Sequence, residues 1–187
     1  MKRLFIGIPI ESPKSVRQVE VWKRNSHFNR NVLNWTSSGN WHITLFFLGN
    51  TEESAVVGLQ QLIEESFCGI QAYNTELFGV GVFPNTKNPK ALWIGLEDLQ
   101  PLMSAYSKLG ELLQQNGFSF DQKPLKPHLT IARVKRADHL SAFQTLLSEH
   151  KETVFDQINM SKVVLFESLN TPDGPFYKPL FIKQLIR

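Results

Sequence analysis

A four-residue pattern occurs twice in this 187-residue chain, as His42-Ile43-Thr44-Leu45 and as His128-Leu129-Thr130-Ile131, with the two histidines 86 positions apart. On a β-strand successive side chains point to opposite faces. His42 and Thr44 therefore share one face, roughly 6.6 Å apart along the strand, while Ile43 and Leu45 take the other. The apolar face can lie against a helix and hold the imidazole on a packed element. A single His-x-Thr is ordinarily a hydrogen-bonded structural residue. The second copy changes that reading, because the flanks repeat as well. The same offset lays Leu4–Ile10 on Lys90–Leu96, Ser15–Arg30 on Pro101–Asn116, and Glu52–Phe67 on Asp138–Thr153. A duplicated half is the economical explanation, dividing a single domain over 1–187 into repeats of about 1–86 and 87–187.

The local signals fill in that frame. Leu4–Ile10 reads as a strand, and Ser12-Pro13 as the cap and first turn of a helix running to about Phe28. Asn29–Asn40 reads as a loop and Trp41–Leu48 as the strand carrying the first tetrad. Thr51-Glu52-Glu53-Ser54 reads as the capped start of a helix to about Phe67. Tyr73–Phe83 reads as a strand bent at Gly79 and Gly81, and Pro84–Pro89 as a turn. The second half gives a strand at Ala91–Leu96, a helix at Pro101–Asn116 and an approach held extended by Pro124 and Pro127. Then come a strand at His128–Val134, a helix at Asp138–His150, a strand at Ser161–Glu167, a turn at Asn170–Gly174 and a last strand at Tyr177–Ile186.

Composition bounds the function. Hydrophobic residues make up 42% and charged residues 20% of the chain, ordinary values for a globular protein, and 20 Lys and Arg against 17 acids give a net charge of +3. That balance suits a phosphorylated ligand without being polybasic. Local charge says more, since the tracts Lys123–Lys126 and Arg133–Arg136 flank the second tetrad. The lone cysteine, Cys68, excludes an internal disulfide and fits a reducing compartment, so the expected location is the cytoplasm. The apolar run Leu4–Ile10 after Met1-Lys2-Arg3 is short, ends at Glu11 and lacks a small-residue cleavage site, so a first strand is expected there and not a signal peptide. No stretch reaches the length of a membrane span.

Two imidazoles on facing strands suit a reaction that needs a base and an acid together. Phosphodiester cleavage is the natural candidate: one histidine takes a proton from the nucleophile, the other protonates the leaving alkoxide, and the threonine hydroxyls donate to the nonbridging oxygens. His27, His139 and His150 show no metal-ligand spacing and read as surface residues. Neither phosphate-binding glycine loops nor a nucleophile elbow is present. The chemistry calls for no metal and no cofactor.

HITL and HLTI, with RLFIGI at the start, HITLFFLG and KPHLTIAR around the tetrads, and LFES followed by Gly174 and YKPL at the end, resemble the 2H phosphoesterase superfamily, and within it the bacterial RNA 2′,3′-cyclic phosphodiesterases of the 2′-5′ RNA ligase family. The resemblance spans nearly the whole chain. It implies a bilobal α+β fold, with pseudo-twofold-related lobes, mainly antiparallel sheets and an active-site cleft between them. It also implies metal-independent hydrolysis of a terminal 2′,3′-cyclic phosphate to a 2′-phosphomonoester, with weak reversible ligation. His42 would then be the proton donor and His128 the proton acceptor, Thr44, Thr130 and Arg133 would bind phosphate, and the partner would be RNA ending in a cyclic phosphate, tRNA fragments included. The chain is expected to act as a monomer away from membranes.

Arg133 carries an internal conflict, because simple alternation puts it on the face opposite His128. It reaches the cleft only if the strand twists or bulges. For the base that stacks beside the phosphate, Phe46 shares the parity of His42 and Thr44, and Tyr177 lies on the last strand. Trp35, Trp41, Phe83 and Phe120 are further candidates. Two alternatives stay open: a phosphodiesterase for 2′,5′-linked oligonucleotides or small cyclic nucleotides, and an RNA- or nucleotide-binding module without turnover.

Overall fold

The computed structural model describes residues 1–122, 124–136, 140–172 and 174–187. Lys123, Asp138, His139 and Asp173, which enter the expectations above, lie outside the described residues.

The chain folds as β1 (Lys2–Pro9), α1 (Pro13–Lys23), β2 (Leu33–Trp35), β3 (His42–Thr51), α2 (Val56–Ser66), β4 (Tyr73–Phe83), β5 (Ala91–Leu96), α3 (Gln100–Gln115), β6 (His128–Val134), α4 (Leu140–Glu149), β7 (Val154–Met160), β8 (Lys162–Thr171) and β9 (Gly174–Gln184). The expected α+β class is what is observed. The strands join in one antiparallel sheet of order β7-β4-β5-β6-β3-β1-β8-β9, with β2 added beside β6. The order reads as two four-strand blocks meeting at β6 and β3. Each block mixes the halves of the sequence: β4 leaves the first half to pair with β5, and β8 leaves the second to pair with β1.

The helices cover one face. Leu59 and Ile63 of α2, Leu102 and Leu109 of α3 and Phe143 of α4 are fully buried together with Ile43, Leu129 and Ile131 of the tetrads. The apolar half of each tetrad thus anchors its strand in the core, and the polar half is left to the other face.

Several boundaries differ from the expectations. Ser12 does cap α1, accepting from the Ser15 amide at 3.3 Å and donating to Asp156 at 2.8 Å. The helix stops at Lys23, because the Asn25 side chain accepts from the His27 amide at 2.9 Å and starts a separate 3-10 turn, Ser26–Phe28. Thr51 is no cap; it ends β3, and α2 begins at Val56 after a 3-10 turn without a side-chain cap. β2 and β7 are not legible in the sequence, the first because three residues carry no period and the second because Asp156 is buried where alternation expects an apolar side chain. β9 starts at Gly174, which places Tyr177 within the hairpin with β8.

Candidate active site

β3 and β6 meet through one antiparallel pair, Ile43 opposite Leu129. Extending that register sets His42 opposite Thr130 and Thr44 opposite His128. Each histidine is thereby placed next to the threonine of the other tetrad.

Both strands carry the same irregularity. In the pairing of β1 with β3, Gly7 faces Thr44 and Ile6 faces Phe46, so Leu45 is an extra residue; in the pairing of β5 with β6, Trp93 faces Thr130 and Leu92 faces Ala132, so Ile131 is extra. A bulge resets alternation for everything after it. Arg133 consequently returns to the face of His128 and Thr130, opposite Ala91, and is exposed there. Its conflict with simple parity is resolved by Ile131. The same reset in β3 brings Phe47 to the cleft face, where the Arg3 guanidinium lies 5.0 Å from its ring centroid. Phe46 is turned the other way. It is 3% exposed and stacked on Tyr106 of α3 at 4.6 Å, so its expected place beside His42 is corrected.

The two rings are held alike. The Nδ1–H of His42 donates to the Asn40 carbonyl at 2.7 Å, and that of His128 to the Lys126 carbonyl at 2.6 Å. A carbonyl only accepts, so these bonds place the proton of the neutral imidazole on Nδ1 and leave Nε2 with a lone pair. Aromatic rings enclose both. Phe5 and Tyr177 approach His42 at 4.8 and 5.1 Å, and Phe83 approaches His128 at 4.8 Å. Burial lowers the pKa of His42, opposed by the Asn40 hydrogen bond and reinforced by the charges of His128 and Arg133. Burial also lowers that of His128, opposed by the Lys126 bond and reinforced by Arg133. Arg133 thus acts on both rings. Among the described residues no group of three His, Cys, Asp or Glu side chains converges as a metal-ligand set.

Grooves open on either side. One of about 490 Å³ is lined by Trp35, Ser37, Asn40, Arg133, Phe176 and Tyr177. The other, about 670 Å³, is lined by Thr44, Phe47, Phe83, Tyr106, Lys126 and His128. Of the other aromatic candidates, Trp41 is buried, with Nε1 donating to the Thr36 carbonyl at 3.3 Å, and Phe120 packs edge-on against Phe46 at 5.1 Å. His150 corrects the surface reading: its ring lies 5.2 Å from Trp22 and 5.7 Å from Phe155.

A profile of the 2′-5′ RNA ligase superfamily matches residues 11–166. The chain belongs to this superfamily. Among its relatives, the RNA 2′,3′-cyclic phosphodiesterase of Thermotoga maritima is 31% identical over 185 residues, covering 96% of this chain and 93% of that protein. The one from Archaeoglobus fulgidus is 33% identical over 178 residues, covering 95% and 97%. Of the solved structures, TT0787 of Thermus thermophilus superposes with a TM-score of 0.74 at 26% identity, covering 98% of this chain and 97% of its own. E. coli LigT complexed with 3′-AMP superposes with a TM-score of 0.74 at 19% identity, covering 100% and 99%. The resemblance to 2H phosphoesterases and the bilobal α+β fold are both borne out.

In this member of the superfamily, sequence reasoning passed over Trp93, Arg3 and Asn40. Trp93 stands on the cleft face opposite Thr130; its Nε1 is buried and, among the described residues, has no partner. Gly81 is what admits it, since a Cβ there would stand 2.0 Å from the indole. The repeat held a signal: Trp93 aligns with Gly7, and a bulky ring in one copy facing a glycine in the other marks a cleft filled asymmetrically. Asn40 joins two elements, its carbonyl orienting His42 and its side chain donating to the Pro175 carbonyl at 2.6 Å.

Proposed function

We propose that this enzyme hydrolyses the terminal 2′,3′-cyclic phosphate of RNA to a 2′-phosphomonoester. The observation that carries the proposal is the crossed pair of histidines and threonines, both rings held in the same tautomer beside Arg133. Water attacks phosphorus, His128 Nε2 takes its proton, the P–O3′ bond breaks, and protonated His42 delivers a proton from Nε2 to the departing O3′. Thr44, Thr130 and Arg133 donate to the nonbridging oxygens as charge builds on them.

The roles are those the family resemblance implies, and the grooves support them. O3′ stays attached to the ribose, so the nucleoside belongs on the donor's side. The groove lined by Asn40, Tyr177 and Phe176 is on the His42 side and supplies aromatic surface for a base. The relatives named as RNA 2′,3′-cyclic phosphodiesterases support the same reaction. A second reading has its own observation. The groove at His128 is lined by Phe47, Phe83 and Lys126 and has room for a second nucleoside, which suits a 5′-hydroxyl RNA as nucleophile or the far side of a 2′,5′ linkage. On this alternative reading, ligation or 2′,5′ cleavage would use the same centre.

No helix among the described residues is long and apolar enough to cross a membrane. We place the enzyme in the cytoplasm, as one monomeric catalytic domain built by duplication, acting on RNA ends such as those of tRNA fragments. The test is incubation, in chelator, with a short RNA ending in a cyclic phosphate. Release of the 2′-phosphate is expected. A 3′-phosphate product would reverse the leaving oxygen, and binding without hydrolysis would favour a nucleotide-binding module.

A further inference from the structure

The groove at His42 does not end at the proposed nucleoside site. Its wall at Asn34 and Trp35 is also the wall of a further groove of about 670 Å³, lined in addition by Lys23, Arg30, Asn29 and Lys135. We propose that this second groove is a binding track for the RNA strand on the 5′ side of the cyclic-phosphate nucleotide, so that the substrate is an oligonucleotide in preference to a cyclic mononucleotide. The proposal rests on the reading of the catalytic site given above.

Strand geometry supplies the track. β2 pairs with β6 so that Asn34 lies opposite Arg133, and the Lys135 amide continues the ladder by donating to the Val32 carbonyl at 2.8 Å. Arg133 and Lys135 are both exposed, Arg133 lining the first groove and Lys135 the second, and the two residues of extended chain between them span roughly 6.6 Å. That is about one nucleotide step. With Arg133 on the reacting phosphate, Lys135 is therefore placed for the phosphate next upstream.

The charge of the groove is complementary to such a strand. Among the described residues Glu20 is the one acidic side chain lining it, and it is tied to Lys23 at 2.6 Å. Lys135 spends one ammonium proton on the Arg30 backbone carbonyl at 3.1 Å, which leaves two for a ligand. Between the grooves stands Trp35, half-buried and pinned by donation from Nε1 to the Phe28 carbonyl at 3.3 Å. A fixed indole flanked by cations is the combination that single-stranded nucleic acid binds without reading sequence, by stacking a base and neutralising its phosphates.

The test compares kcat/KM for 2′,3′-cyclic AMP with that for a trinucleotide ending in the same cyclic phosphate, in the wild type and in the Arg30→Ser/Lys135→Ser double variant. Wild-type protein is expected to favour the trinucleotide at least tenfold. The double variant is expected to lose that preference while turning over the cyclic mononucleotide at the wild-type rate, which also reports an intact fold. Its log KM for the trinucleotide should depend less steeply on log salt, by about 0.7 for each phosphate that is no longer neutralised. Equal use of both substrates by the wild type, or an unchanged preference in the variant, overturns the track alone. Hydrolysis of neither substrate by the wild type overturns the catalytic reading and this proposal with it.

Discussion

His42 and His128 differ in their surroundings more than in their sequence. His42 lies among Phe5, Phe166 and Tyr177 and feels both His128 and Arg133, whereas His128 faces Phe83 and Trp93. Replacing either with alanine is expected to lower kcat by several orders of magnitude with an unchanged circular-dichroism spectrum; near-normal turnover in both variants would remove them from the chemistry. Thr44→Ala and Thr130→Ala should each cost about ten- to a hundredfold in kcat, the scale of one lost donor to a developing oxyanion, with KM little changed. Arg133→Gln tests the electrostatics. Its cation disfavours both imidazolium forms, so removing it raises both pKa values and moves the pH profile of kcat/KM to higher pH. A profile that stayed in place would mean that the guanidinium does not act on the rings.

At the scale of elements, the sequence held the strands with chemistry on them. β4, β5 and β6 fall at their expected bounds, because each is an apolar or alternating run closed by turn residues. What failed lay where competing hydrogen bonds act, as at Asn25 after α1 and Thr51 before α2, or where a strand depends on its partner, as β2 depends on β6. Gly79 behaves as expected, with φ +66° at the shift between Phe78 and Val80, while Gly81 makes room for Trp93. Gly81→Ala should therefore destabilise by about 1–3 kcal/mol, the usual cost of overpacking, and lower turnover by pushing Trp93 towards His128. Urea unfolding and steady-state rates check it; wild-type values for both would show that Trp93 has room to move.

For the whole molecule, His42 and His128 set a pH dependence of stability. Both histidines have folded pKa values below the ordinary 6.5, so above that pH neither state takes up a proton and they contribute nothing. As pH falls below 6.5 the unfolded chain binds protons that the folded one resists, and stability declines until the folded values are reached. Melting temperatures at pH 7.5 and 5.0 should show a smaller drop in the His42→Gln/His128→Gln double variant than in the wild type. An equal drop would assign the acid sensitivity to other groups. The sequence by itself determined which side chains are available and how far apart they stand on a strand: His, Thr and their apolar backing are set by a local period of two. Tertiary structure alone decided that β3 and β6 lie side by side, that each histidine meets the other tetrad's threonine, and that Leu45 and Ile131 bulge, sending Phe46 to the core and Arg133 to the cleft. Alternation is a property of one strand, whereas register and bulges exist only between two.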